Sequence, residues 1–272
     1  MIIDAHHHLW DPAAREYPWL AGDAMAPIRH RYGLAELRAA VEPLGVDGTI
    51  LVQTLPSVAE TRSFLALSDP LIRGVVGWVD LTSPSIADDL ATLPGPLVGI
   101  RHQAQDEPDA EWLARPDVLR GLHAVAAAGL TFDLLVLPHQ LRSAITAVRA
   151  VPGGRFVLDH AAKPPIVSGR LDPWAGLISE LAGLPNVACK LSGLVTEANW
   201  GQWKPADIRP YAEHVLDRFG PDRVLFGSDW PVCELAGDYP AVFALAEQFC
   251  EELTAAEHAA VLGESARSWY RL

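Results

Sequence analysis

Met1-Ile2-Ile3-Asp4-Ala5-His6-His7-His8 opens the chain and decides how the rest is read. The start Met1-Ile2-Ile3 is apolar, and residues 2 to 6 read as a strand. In a strand, side chains two apart point the same way, so His6 and His8 project together from its C-terminal end. Two imidazoles held side by side on rigid backbone are half of a metal site. Three histidines beside a start codon also fit a tag remnant. A tag is usually longer, flanked by Gly and Ser, and not preceded by a strand sequence.

Working outward, short apolar runs alternate with helical patterns to the end of the chain. Further strands are expected at Thr49–Gln53, Gly74–Asp80, Leu97–Arg101, Thr131–Val136, Arg155–Asp159, Val187–Leu191 and Arg223–Gly227. With the opening strand, Ile2–Ala5, they number eight. Most are continuous apolar runs, as expected of parallel strands covered on both faces. Helices are expected at Leu34–Leu44, Ser57–Ser68, Ser85–Leu93, Pro116–Ala128, His139–Ala150, Asp172–Leu184, Pro205–Phe219 and Tyr239–Phe249, with a last one at Thr254–Tyr270. Ser57 with Glu60, and Thr254 with Glu257, have capping-box spacing. Strand followed by helix, eight times in 272 residues, predicts a (β/α)8 TIM-type barrel formed by a single domain, 1–272. A doubly wound open sheet is the alternative. It is weakened because no G-x-G-x-x-G or Walker loop follows any strand.

In such a barrel the chemistry sits at the C-terminal ends of the strands. The polar residues gather there: His6 and His8, Gln53-Thr54, Trp78 and Asp80, Arg101-His102, Asp159-His160, Lys190 and Ser192, and Ser228-Asp229-Trp230. Barrel closure sets strand eight beside strand one. His6, His8, His160 and Asp229 then form a candidate site for one divalent metal ion, with Zn²⁺ the ion that best suits three imidazoles and a carboxylate. Such an ion lowers the pKa of water and polarises a carbonyl. Asp229 also reads as the general base, and each histidine taken alone also reads as a hydrogen-bonded core imidazole.

Composition narrows the partners. The net charge is −13, which argues against nucleic acid and anionic membrane surfaces. No apolar stretch reaches the length of a membrane span. The start lacks the basic and apolar regions of an export signal. Cys189, Cys233 and Cys250 have no C-x-x-C spacing and read as reduced thiols of a cytoplasmic protein. A small-molecule substrate is the expected partner, and self-association into a homo-oligomer is left open.

Asp4-Ala5-His6-His7-His8-Leu9-Trp10, Gly99-Ile100-Arg101-His102, Leu158-Asp159-His160, Lys190-Leu191-Ser192-Gly193 and Phe226-Gly227-Ser228-Asp229-Trp230-Pro231 together resemble the amidohydrolase superfamily. More narrowly, they are similar to its amidohydrolase-related branch, which includes L-fuconolactonase and other sugar-lactone hydrolases, and the pyrone-dicarboxylate lactonase. The resemblance spans nearly the whole chain in motif order. It implies a (β/α)8 barrel, metal and catalytic positions at His6, His8, His160 and Asp229, and hydrolysis of a cyclic ester with Asp229 activating water. Binuclear relatives carry a bridging carboxylated lysine or glutamate on a middle strand. Here strand four ends in Arg101-His102 and strand five in Leu135-Val136-Leu137, with Lys163 and Lys190 elsewhere, so one metal is expected and its occupancy is open.

A dicarboxylate substrate would need several arginines at the mouth, and Arg101 is the only one at a strand end. That favours a neutral sugar lactone. Gln53, Arg101, His102 and Lys190 are candidate polar contacts. Trp78, Trp200 and Trp230 are candidate aromatic faces for a sugar ring. Decarboxylation or hydrolysis of an unsaturated or aromatic cyclic acid on the same barrel is the alternative. A metal-binding protein without catalysis is a third reading.

Overall fold

The computed structural model describes residues 1–93 and 95–272. Eight parallel strands follow one another in sequence order: β1 Ile3–His7, β2 Gly48–Val52, β3 Ile72–Gly77, β4 Leu97–His102, β5 Thr131–Leu134, β6 Arg155–Leu158, β7 Val187–Leu191 and β8 Val224–Phe226. Helices α1 Leu34–Val41, α2 Val58–Leu65, α3 Ile86–Ala91, α4 Pro116–Ala127, α5 Leu141–Ala150, α6 Trp174–Ala182, α7 Pro205–Phe219 and α8 Tyr239–Phe249 cover the sheet. The sheet closes where β8 meets β1. His8 N–H donates to Trp230 O at 2.7 Å, and Asp229 N–H donates to His6 O at 2.8 Å. This is the single-domain (β/α)8 barrel expected. Among the described residues no helix is long and apolar enough to cross a membrane.

Two cores hold it together. The larger packs the strands' outer faces against the helices. The smaller lies inside the barrel, where Ile3, Ala5, Ile50, Val52, Val76, Val157, Ala188 and Leu225 meet Ala266 and Tyr270 of the C-terminal segment. The barrel is thus apolar at its N-terminal end and plugged from below, and its polar residues sit above this layer, towards the mouth.

Two departures from the sequence reading have local causes. The opening strand runs to His7, and its register with β2 shifts between Asp4 and His7. Below the shift Ile3 and Ala5 face the inner core. Above it His6 and His8 face the mouth. A bulge re-aims side chains in this way, so plain alternation gave the right histidines but not the reason. The expected last helix is broken into α9 Ala255–Ala259, a π-helical turn Ala260–Glu264, and α10 Ser265–Tyr270. Within that turn Gly263 passes so close to the start of the chain that a Cβ would lie 2.2 Å from Met1 O. The Thr254–Glu257 capping box is present. At α2, Ser57 caps through Glu60 N–H. The Glu60 side chain instead turns inward to accept from Thr54 and Leu55, fixing the loop that follows β2.

Candidate active site

His6, His8, His160 and Asp229, brought from β1, the end of β6 and the end of β8, converge at the mouth. His6 Nε2 lies 3.1 Å from His8 Nε2 and 3.7 Å from Asp229 Oδ1. His8 Nε2 lies 3.5 Å from Asp229 Oδ1. His160 Nε2 lies 3.9 Å from the same oxygen. All four side chains are buried. His8 Nδ1 sits 2.8 Å from Val52 O. A carbonyl only accepts, so Nδ1 carries a proton and the Nε2 edge faces His6 and Asp229.

Left-handed backbone delivers two of these groups. Asp229 has φ +56°. His160, Ala161, Ala162 and Lys163 form a run with φ of +51°, +49°, +58° and +52°. Such conformations cost roughly 1–2 kcal/mol per non-glycine residue, so tertiary contacts must impose them. The Trp174 indole N–H donates to Ala161 O at 2.7 Å, and Lys163 N–H to His160 O at 2.8 Å. His160 Nδ1 pairs with Ser192 Oγ at 2.8 Å. Opposite stands Gly193, φ +62°, where a Cβ would be 2.6 Å from His160 Nδ1. Only glycine lets the β7 loop come this close to the imidazole.

Beneath His6 lies a buried charge network. Lys190 Nζ is 2.5 Å from Asp133 Oδ2, 2.9 Å from Asp159 Oδ1 and 3.1 Å from His6 Nδ1. The Tyr270 hydroxyl donates to Asp133 at 2.8 Å. Arg101 Nη1 reaches Asp159 Oδ2 at 3.1 Å, and Nη2 donates to Gln53 O at 2.5 Å. Burial works to raise the Asp159 carboxyl, but Lys190, His6 and Arg101 hold it well below the ordinary carboxylate range. Burial also works to raise Asp229; His160, His8 and Lys163 outweigh it and hold that carboxyl below its ordinary value. Burial pushes His160 down to about 4. Burial and the Lys190 charge also hold His6 well below its ordinary value, so at neutral pH His6 and His160 are neutral beside an ionised Asp229 carboxylate.

The donor set suits a metal ion. Donors about 2.0–2.1 Å from a tetrahedral ion stand about 3.3–3.4 Å apart. The three separations among His6 Nε2, His8 Nε2 and Asp229 Oδ1 are 3.1, 3.7 and 3.5 Å. His8 Nε2 faces that space.

Above the group opens a cavity of about 190 Å³ walled by His8, Trp19, Thr54, Arg101, Gln103, Gln105, Asp106, Leu135, His160, Lys163, Asp229 and Val232. It is smaller than the roughly 300–1,000 Å³ of drug-sized ligand sites and matches one small ring. Several expected substrate contacts stand off this wall. Trp230 is buried, its indole bound to Glu234 at 2.8 Å and its ring edge-on to Tyr32. Trp78 and His102 bond to each other at 3.1 Å, and His102 stacks on Trp112. Trp200 donates to Thr196 O within its own loop. Lys190 is sealed under His6. Gln53 binds Arg101 and Gln103 from behind. Hydrogen bonding to neighbours inside the fold, rather than reach towards the mouth, accounts for all of these. Trp19, from the 3-10 turn Pro18–Leu20 in the long β1 loop, stands on the wall. Asp133 and Lys163 were missed as site residues. Asp133 is the third residue of β5, a lone acid inside an otherwise uncharged strand, which was its signal.

Fold and site together define a (β/α)8 barrel with a His–Asp donor set, suited to one metal, at its C-terminal mouth. The chain belongs to the Amidohydrolase family, whose model matches residues 3–272. It is 40% identical to L-fucono-1,5-lactonase of Burkholderia ambifaria over 278 residues, covering 99% of this chain and 95% of that protein. It is 38% identical to L-fucono-1,5-lactonase of Burkholderia multivorans, covering 99% and 96%. A solved amidohydrolase from Burkholderia multivorans with bound Zn superposes at TM-score 0.96, with 38% identity over 100% of this chain and 99% of that one.

Proposed function

We propose that this protein opens a neutral sugar lactone by hydrolysis, at the cavity above His6, His8, His160 and Asp229. The observation that carries the reading is the convergence of an ionised Asp229 with the imidazoles of His6, His8 and His160 beside a cavity sized for one small ring. Near-complete coverage at about 40% identity to lactonases supports the substrate class.

In this reading Asp229 takes a proton from water as the water oxygen bonds to the lactone carbonyl carbon. The ring C–O bond then breaks, and the departing alkoxide receives that proton back from Asp229. His160, fixed by Ser192, borders the same space and orients the reacting groups. Arg101 is held by Asp159 and Gln53 and braces the ring of His6, 3.3 Å from Nε2. His6, His8 and Asp229 would hold a single Zn²⁺, with His160 beside it. When bound, that ion supplies Lewis acidity and an acidified water. Trp19 offers the aromatic face for the sugar's C–H surface.

The test is a pH-indicator assay against a panel of aldonolactones, with and without chelator and added Zn²⁺. Acid release from at least one sugar lactone is expected. No acid release from any of them, with CO₂ evolved from an aromatic acid instead, would overturn the proposal.

A further inference from the structure

We propose that Lys163 is a catalytic residue, whose ammonium receives the negative charge that lactone opening creates at the former carbonyl. This rests on the hydrolytic reading above and adds a residue to it.

The left-handed run His160–Lys163 sets two side chains, three residues apart, on the same cavity wall. His160 is the first of them, with its Nε2 3.9 Å from Asp229. Lys163 is the second. The run is strained and held by buried contacts, so its geometry is imposed by the fold rather than by local preference. The two cations on the wall differ in how far they are committed. Arg101 is 4% exposed and tied to Asp159 and to Gln53 O. Lys163 keeps a side chain 25% exposed, and Glu197, its carboxylate neighbour, stands 3.8 Å away, beyond hydrogen-bond reach. Lys163 also contributes to holding the Asp229 carboxyl down, so its charge is felt where the reaction occurs.

The chemistry needs such a group. The lactone enters neutral. Water oxygen bonds to the carbonyl carbon, whose oxygen becomes anionic. The ring C–O bond breaks, the alkoxide takes the proton held by Asp229, and the product acid loses its own proton to solvent. The site then holds the product carboxylate together with the Asp229 and Asp106 carboxylates on the same wall. An ammonium free to donate hydrogen bonds stabilises the oxyanion and the product more than the neutral substrate. Its effect therefore falls on turnover and product affinity rather than on substrate capture.

The experiment compares wild type, Lys163→Met and Lys163→Arg. It measures kcat and KM on the best aldonolactone and the inhibition constant of the corresponding hydroxy acid, with acid binding also read by calorimetry. Lys163→Met should lower kcat by about 10–100-fold, somewhat less than removal of a fixed backbone-type oxyanion donor, with KM within about threefold. It should weaken hydroxy-acid binding by about tenfold or more, the loss of one charge-assisted hydrogen bond. Lys163→Arg should keep most of the acid affinity, which a purely structural role would not distinguish by charge. Wild-type kcat and acid affinity in Lys163→Met would overturn the proposal while leaving the hydrolytic reading in place. A wild type that binds the hydroxy acid but opens no lactone would sink that reading, and the proposed catalytic role with it, while the binding comparison would still show whether Lys163 holds the carboxylate.

Discussion

Replacing Lys190 with methionine tests whether the buried charge network is what holds His6 in place. Lys190 has no exposed side-chain surface, and its ammonium lies between the carboxylates of Asp133 and Asp159, which are also fully buried. Methionine fills most of the volume and removes the charge. Asp133 is then left with the Tyr270 hydroxyl, and Asp159 with Arg101. Removing one partner of a buried ion pair costs about 3–5 kcal/mol, because the charge left behind has lost its compensation. For a chain of 272 residues, an unfolding entropy of about 2.1 cal/mol/K per residue makes each kcal/mol worth roughly 1.7 °C, so the apparent Tm should fall by about 5–9 °C. Adding Asp133→Asn removes the more isolated carboxylate, and the double variant should recover about half of that loss. Thermal melts by circular dichroism at pH 7.5 read both numbers. A Lys190→Met melt within 2 °C of wild type, or a double variant less stable than the single, would refute the account.

Asp229→Asn should leave the fold and the His6–His8 pair intact while lowering kcat by about 100-fold or more; unchanged turnover would remove Asp229 from the mechanism. His7 is buried, and among the described residues neither ring nitrogen has a hydrogen-bond partner; burial holds its pKa down at about 3 against an ordinary 6.5. The unfolded chain therefore binds the proton first, so the stability this group contributes is present above pH 6.5 and is lost as pH falls towards 3. Between pH 7 and pH 4 wild type should lose about 3 kcal/mol more than His7→Leu, and urea titrations giving parallel losses would contradict this. At pH 7 His7→Leu should be no less stable than wild type, since it removes unsatisfied polar atoms. Asp4→Asn should destabilise by about 1–3 kcal/mol, because Asp4 accepts from His6 N–H, Ser228 N–H, the Ser228 hydroxyl and the Tyr239 hydroxyl at the β1–β8 seam; an unchanged urea midpoint would show that the seam does not depend on it.

What the sequence disclosed, and what it withheld, follows from how far each signal travels along the chain. Strands buried on both faces read as apolar runs wherever they fall, and that alone was enough for eight of them and a barrel. The barrel's closure then predicted that His6 and His8 would meet Asp229, because strand order is a property of topology and not of side chains. Tryptophan carries no such information. Trp78, Trp200 and Trp230 lie at or beyond strand ends, as a sugar-stacking residue would, yet each spends its indole N–H on a neighbour within the fold. A polar tip that finds a partner inside is as compatible with that position as one that faces the cavity. Lys163 was hidden for a different reason. Its place on the wall depends on four consecutive left-handed residues, a conformation that sequence preference argues against at every one of them. The Trp174 indole, bound to Ala161 O, helps hold that turn, and nothing in Asp159-His160-Ala161-Ala162-Lys163 itself calls for it. Where local preference and the folded backbone disagree this strongly, the fold is supplying energy to put particular atoms in a particular place, and here those atoms are His160 Nε2 and the Lys163 side chain, both lining one small cavity.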